Sequence, residues 1–476
     1  MHRPLFAFSC IVGSLFIVGP GILESAPAQS PETNGSPPVT IEQVIEFSRA
    51  HYPAIKAAQA QQRAAQGAIG VAKTDYLPRT DLLWQTNRAT ANNIYGLLLP
   101  QGVIPNISGP VISSDVTRSA WSSGGGALLS WQPFDFGVRS AKVVAAREGS
   151  LAAEHSAALT TLEVTAAAGS AFLDLAAAQQ IITVAQANVR RYEAFDKSVH
   201  VLVDNLLRPG ADASLADAQL ALARNQLIQA QTQEAVKRSV LAAFIDKRGE
   251  QVAIDATQLL VASPTSDFAA TEAAVHPSVL EENALSLQQE AQRRMIDRSY
   301  VPVFRALGSL SGRGAGTGLT GQFQGGTAGL APGTFNWAAG VQVTFAAFDY
   351  FNIRDQKKIQ TANVEAEYAR YDLARTNVSA AIEQARSTLA GARQIAANTP
   401  MELSASQGSE QQQQARYRSG LATVVDVAAA EGVLVQAEAD DLIARLGIWR
   451  AELGVAAAQG DLQPFLQLLQ NQAKGR

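Results

Sequence analysis

"HYPAIKAAQAQQRAAQGAIGVAKTDYLPRTDLLW", residues 51–84, and "VHPSVLEENALSLQQEAQRRMIDRSYVPVFRALG", residues 275–308, follow one plan. Pro53 and Pro277 lie 224 positions apart, and at that same offset Tyr76 meets Tyr300 and Pro78 meets Pro302 without a gap. Proline suits the first turn of a helix and excludes helix just before its next occurrence. Each copy therefore reads as a helix between two prolines, followed by an extended segment. An internal repeat of this kind constrains the fold before any single residue does.

The plan continues outward in the same order. Strands are expected near 79–87 and 303–311, then loops rich in Gly, Ser, Thr and Asn at about 88–125 and 312–336. Second strands are expected near 127–135 and 338–347. "GVQVTF" at 340–345 alternates apolar and polar residues with the period of a strand that has one apolar face, while "ALLSWQPF" at 127–134 alternates less cleanly. Both end in a similar signal, Phe134-Asp135-Phe136-Gly137 with Arg139 and Phe348-Asp349-Tyr350-Phe351 with Arg354. Four strands are too few to close a barrel alone.

Long helices are expected at 138–206 and 352–417, the second interrupted only by Pro400. At 1.5 Å per residue each would reach on the order of 100 Å, more than an ordinary globular domain accommodates. Each leads to a polar elbow, "LLRPGADASLADAQLA" at 206–221 and "RYRSGLATVVDVAAAE" at 416–431. Gly210 and Gly420 read as the left-handed residues that end a helix. Ser214 with Asp217, and Thr423 with Asp426, fit capping boxes that open shorter helices at 214–250 and 423–460. Arg208 and Arg418 fall in the last helical turn, where a cation is favoured. The division is thus a first repeat at 29–250, a linker at 251–270, a second repeat at 271–460 and a tail at 461–476.

The chain has 476 residues, 47% hydrophobic and 17% charged, with a net charge of −4, and nothing in that balance points to nucleic acid. His2 and Arg3, the apolar run Leu5 to Val18 and Ala26-Pro27-Ala28 read as a signal peptide over 1–28. The single cysteine, Cys10, lies inside it, with too few apolar residues before it for a processed lipoprotein. Beyond it no run of 18 apolar residues lacks charges, so no helix reads as a bilayer span.

The ordered set of features resembles the TolC-type outer-membrane efflux proteins, over about residues 40–460. Its best local carriers are Pro53 to Pro78 with its twin, "WQPFDFGVR" at 131–139, and "YRSGLATVVDV" at 417–427. The resemblance implies a mixed α+β membrane protein and a homotrimer. Each protomer would give four strands to a shared 12-stranded outer-membrane β-barrel and its long helices to a periplasmic α-barrel. It implies an exit duct of a tripartite efflux or type I secretion system, served by a periplasmic adaptor and, through it, an inner-membrane pump. It implies a periplasmic gate at Asp217, Asp426 and Tyr417, and an adaptor-docking tip at Arg208, Gly210, Arg418 and Gly420. Two departures, Ala422 and Ala429, remove partners that would lock such a gate.

Simpler readings stand beside these. Helix capping alone accounts for Asp217 and Asp426, and backbone geometry for the two glycines. Trp84, Trp131 and Trp337 near strand ends read as an interfacial aromatic belt in contact with outer-membrane lipid, or as packing. "GRGAGTG" within 312–333 lacks the Lys-Ser/Thr of a phosphate loop. His51, His155, His200 and His276 are never three or four residues apart, so no helical histidine pair for a metal is expected. No nucleophile–base–acid set stands out, so neither catalysis nor a cofactor is expected. The rival reading is a non-conducting trimeric coiled coil or surface adhesin; the lack of a sustained heptad and the four strands count against it.

Overall fold

The computed structural model describes residues 37–90, 119–261, 273–316 and 324–474. The expected signal peptide with Cys10, and most of the expected loop at 88–125, lie outside the described residues. In chain order the elements are α1 (Ile41–His51), α2 (Pro53–Thr74), β1 (Arg79–Thr90), β2 (Ser119–Trp131), α3 (Val138–Asp204), α4 (Gly210–Phe244) and α5 (Thr257–Val261). Then follow α6 (Pro277–Asp297), β3 (Val303–Ala315), β4 (Thr334–Thr344), α7 (Tyr350–Arg418), α8 (Val424–Ala458) and α9 (Gln463–Lys474).

Local chemistry explains where these begin. Pro53 and Pro277 occupy the first turns of α2 and α6, behind extended Tyr52 and His276. Ahead of α3, the Asp135 carboxylate accepts from the Gly137 and Arg139 N–H groups, and Gly137 takes φ 92°. The Arg139 guanidinium pairs with Asp135 at 3.1 Å and donates to the carbonyls of Asp75 and Gln132, bolting the sheet to the long helix. The second copy does not repeat this device. Asp349 makes no side-chain cap, and Arg354 pairs with Asp355 instead.

All four strands are longer at their loop ends than expected; β1 and β3 start where expected at their helix ends, while β2 and β4 stop short there. β2 starts at Ser119 and β4 at Thr334, while Gln132-Pro133 stops β2 before residue 135. The sheet is antiparallel in the order β1-β2-β3-β4. β1 and β4 are its edges and pair with no further strand among the described residues.

The 67 residues of α3 and 69 of α7 run from sheet to tips. Near the sheet the helices lie in the order α2, α3, α6, α7; toward the tips the order is α4, α3, α8, α7. Each half is one layer, four helices wide. Midway sits the main core, where Phe172, Leu173 and Leu175 of α3 meet Val44, Leu241, Trp449, Leu453 and Phe465. α3 contains a window as hydropathic as a membrane span, but half of it is buried, so its apolar character goes into this core. Within the described parts of the expected linker and tail, Val252, Leu259 and α9 residues Phe465 and Leu469 are buried in this core, and Trp449 Nε1 donates to the Leu259 carbonyl at 3.0 Å.

Candidate functional site: the helical tips and the sheet face

The two tips repeat, but not in the register that the sequence motif implies. α3 and α7 end alike: the Leu207 N–H donates to the Leu202 carbonyl and the Leu206 N–H to that of Val203; the Leu421 and Gly420 N–H groups donate to the carbonyls of Arg416 and Tyr417. Both are Schellman turns, with Leu206 at φ 58° and Gly420 at φ 77° as the left-handed residue. The offset is therefore 214 (Leu206 to Gly420), and the next helices start at Gly210 and Val424 at the same offset. Gly210 is thus the first residue of α4 and not a left-handed cap. Pro209 is the N-cap, so Ser214 and Asp217 lie within the helix and form no capping box. Arg208 stands where the second tip has Ala422, and Asp212, in the first turn of α4, is the true counterpart of Asp426. The motif failed because Arg-x-Gly recurs at an offset of 210 and Ser/Thr-x-x-Asp at 209 by composition, whereas hydrogen bonding obeys 214.

At the second tip the expected box is real. The Thr423 N–H donates to Asp426 Oδ2 at 2.7 Å, and the Asp426 N–H donates to Thr423 Oγ1 at 3.2 Å. These bonds, with the Arg416 charge, hold the Asp426 carboxyl below its ordinary value. Tyr417 is buried inside the protomer, its ring 5.3 Å from that of Phe195. Arg208 reaches across from the first tip, its guanidinium 4.5 Å above the Tyr417 ring, and donates to the Tyr417 carbonyl at 2.7 Å. A cation placed on the terminal carbonyls of α7 satisfies groups the helix leaves open. Arg418 is exposed and donates to Gln414 Oε1 at 3.5 Å. Asp217 is exposed and lies 3.3 Å from His200 Nε2; Asp196 lies 3.7 Å from the same nitrogen.

One cluster escaped the sequence reading. On α3, Arg191 Nε meets Glu431 at 3.1 Å, and its two terminal nitrogens grip Glu438 at 3.1 and 2.9 Å, with Glu410 of α7 nearby. Glu431 and Glu410 are buried. One cation thus faces three acids drawn from two other helices, a grouping without a local signature.

The sheet has two unlike faces. Directly paired residues share a face, so one face carries the rows Leu82–Ala127–Leu310–Trp337, Trp84–Gly125–Gly312–Phe335 and Trp131–Ala306–Val341, with Leu129, Phe304 and Val343. The other carries Asp81–Leu128–Ser309–Ala338, Gln85–Gly124–Arg313–Thr334 and Arg305–Gln342, with Asn87 and Asn336. Trp84, Trp131 and Trp337 all fall on the apolar face, and the rows of Trp337 and Trp84 lie four and six residues farther from the helices than that of Trp131. Gly125 has no room for a side chain: a Cβ there would lie 2.5 Å from the Trp84 ring.

The family model described as outer membrane efflux protein matches residues 44–245 and 276–461. The chain belongs to the outer membrane efflux protein family. Solved structures agree in fold. The outer-membrane channel OprN aligns with a TM-score of 0.72 at 19% identity, over 88% of this chain and 89% of that one. VceC from Vibrio cholerae gives 0.71 at 16% identity, over 88% and 96%. The open state of the MtrE channel of Neisseria gonorrhoeae gives 0.71 at 17% identity, over 88% and 89%. No curated protein matches the chain by sequence. As an outer membrane efflux protein, the chain has the general role of an efflux channel in the outer membrane, in a family of channels and not of enzymes.

Proposed function

We propose that three copies of this efflux protein close one conduit, with twelve strands forming a wall in the outer membrane and the long helices a wall through the periplasm. The observation that carries this reading is a four-stranded sheet with two unpaired edges and one apolar face. Unpaired backbone is not tolerated in lipid, so such a sheet must be completed by neighbours. Strands of 11 to 13 residues are long enough to cross the hydrocarbon layer at a tilt. Trp84, Trp131 and Trp337 would lie against lipid, Trp131 at the interface nearer the helices and the rows of Trp337 and Trp84 deeper in the layer. The outermost helices fit the same assembly: α7 exposes Ile359, Leu373 and Ile395, and α4 exposes Leu222, Ile228 and Val236, which a neighbouring copy would cover.

In this reading the tips form the inner end. A periplasmic adaptor docks around Arg208, Gly210, Arg418 and Gly420, and an inner-membrane pump supplies the energy and delivers small molecules or proteins. Asp426 lines the gate with its counterpart Asp212, while Tyr417 and Arg208 brace the two tips from within.

Mass measurement and planar-bilayer recording of the purified protein test the proposal together. A mass of three protomers with stable cation-preferring conductance is expected; a monomer that forms no pores overturns it. Asp426→Ala is expected to raise conductance or weaken cation preference, because three acids at a narrow ring repel anions. Unchanged single-channel records would leave Asp426 as a helix cap alone.

A further inference from the structure

Asp196 and His200 lie one turn apart on α3, and Asp217 faces them from α4, just behind the first tip. One ligand atom from each of the three falls within 4.8 Å of the others. The His200 Nε2 is 3.3 Å from Asp217 Oδ1 and 3.7 Å from Asp196 Oδ1. Ligand atoms around a tetrahedral zinc, with bonds of about 2.0–2.2 Å, stand about 3.3–3.6 Å apart. The two distances from the imidazole nitrogen already have nearly that spacing, and the two carboxylates lie within 4.8 Å of each other. A simple ion pair accounts for His200 with Asp217 but not for the third member. Asp196 Oδ1 is shut off from solvent, has no hydrogen-bond partner, and points at the same nitrogen. Asp204, two turns beyond Asp196, adds negative charge close enough to act on the imidazole. The carbonyl end of α3, which also favours cations, lies in the same turn.

We propose that Asp196, His200 and Asp217 bind a divalent transition-metal ion of the zinc class, which ties the long helix α3 to α4 beside the tip. One imidazole and two carboxylates select zinc, cobalt or nickel over calcium and magnesium, which take oxygen ligands and more of them. Three protein ligands leave a fourth position for water. This inference is independent of trimerisation and of any gate, since every ligand comes from one protomer.

Calorimetric titration of tag-free protein in detergent with zinc chloride tests it, with cobalt(II) absorption as the reporter of geometry. The expected result is one zinc per protomer and a tetrahedral cobalt spectrum. His200→Gln and Asp217→Asn should each weaken binding by about 100-fold or more, beyond the loss usual for an outer-shell partner. His155→Gln should leave it unchanged. Zinc should also raise amide-exchange protection across residues 205–212 in the wild type and not in His200→Gln. No saturable zinc binding, or binding that survives His200→Gln and Asp217→Asn, would overturn the assignment. All the substituted side chains are at least partly exposed, so the variants retain the fold.

Discussion

Leu82→Lys should prevent the protein from reaching its assembled state, whereas Asn336→Lys, one row away on the opposite face, should not. Leu82 lies level with Ala127, Leu310 and Trp337 on the apolar face, and its side chain is exposed in the protomer. A lysine facing lipid near the bilayer midplane costs about 2–4 kcal/mol in a transmembrane barrel. In a barrel built from three copies it is incurred three times, about 6–12 kcal/mol, comparable to the whole stability of a typical domain. Asn336 pairs with Ser311 on the polar face, where a lysine stays in contact with water. Heat-modifiable gel migration and the folded fraction in lipid vesicles read the difference. Wild-type folding of Leu82→Lys would mean that the apolar face does not meet lipid.

Arg191→Met is expected to cost about 3–5 kcal/mol at pH 8, the usual result of stripping a buried charge of its partner. Without the guanidinium, Glu431, Glu438 and Glu410 face one another across α7 and α8. Even with Arg191 present, the Glu431 carboxyl is raised from 4.5 to about 7; burial is the main cause, Arg191 opposes it, and Glu410 and Glu438 add to it. The sign follows. A folded-state value above the unfolded one means that the folded protein holds an extra proton between pH 4.5 and about 7. That contribution is complete below 4.5 and lost as the pH rises through about 7. The deficit of Arg191→Met should therefore shrink toward pH 5, where the acids hold their protons, and Glu431→Gln should flatten the pH dependence of the wild type. Thermal midpoints in detergent from pH 5 to 8 measure both. A variant lacking Arg191 that unfolds with the wild type at pH 8 would show that the cluster is hydrated and weak.

What the sequence revealed followed from how locally each feature is encoded. Pro53 and Pro277 act within one turn, so α2 and α6 and the strands after them were legible. The long helices needed only the absence of breakers. The far halves of the strands were not legible, because Ser119 to Gly126 reads as loop by composition. Even on the apolar face this stretch offers Ser119, Ser123 and Gly125, the last beneath the Trp84 ring, so the alternation of side chains is muted. The tip register was misread for a different reason: Leu206 adopts a left-handed conformation that glycine usually signals, and Gly210 does not. Its pattern therefore named Asp217 in place of Asp212. The Arg191 cluster and the Asp196–His200–Asp217 triad join helices whose contact only the fold creates. Asp196 and His200 alone left a trace, as an acid and an imidazole four residues apart.

The bare rims of the sheet bear on how the protein is born. About half the backbone groups of an edge strand point away from its partner, so β1 and β4 each leave about a dozen amide and carbonyl groups unmet. A solitary chain entering lipid would have to desolvate them all at several kcal/mol apiece. Bilayer entry must therefore wait on encounter between chains, and its kinetics should steepen with the supply of newly exported polypeptide.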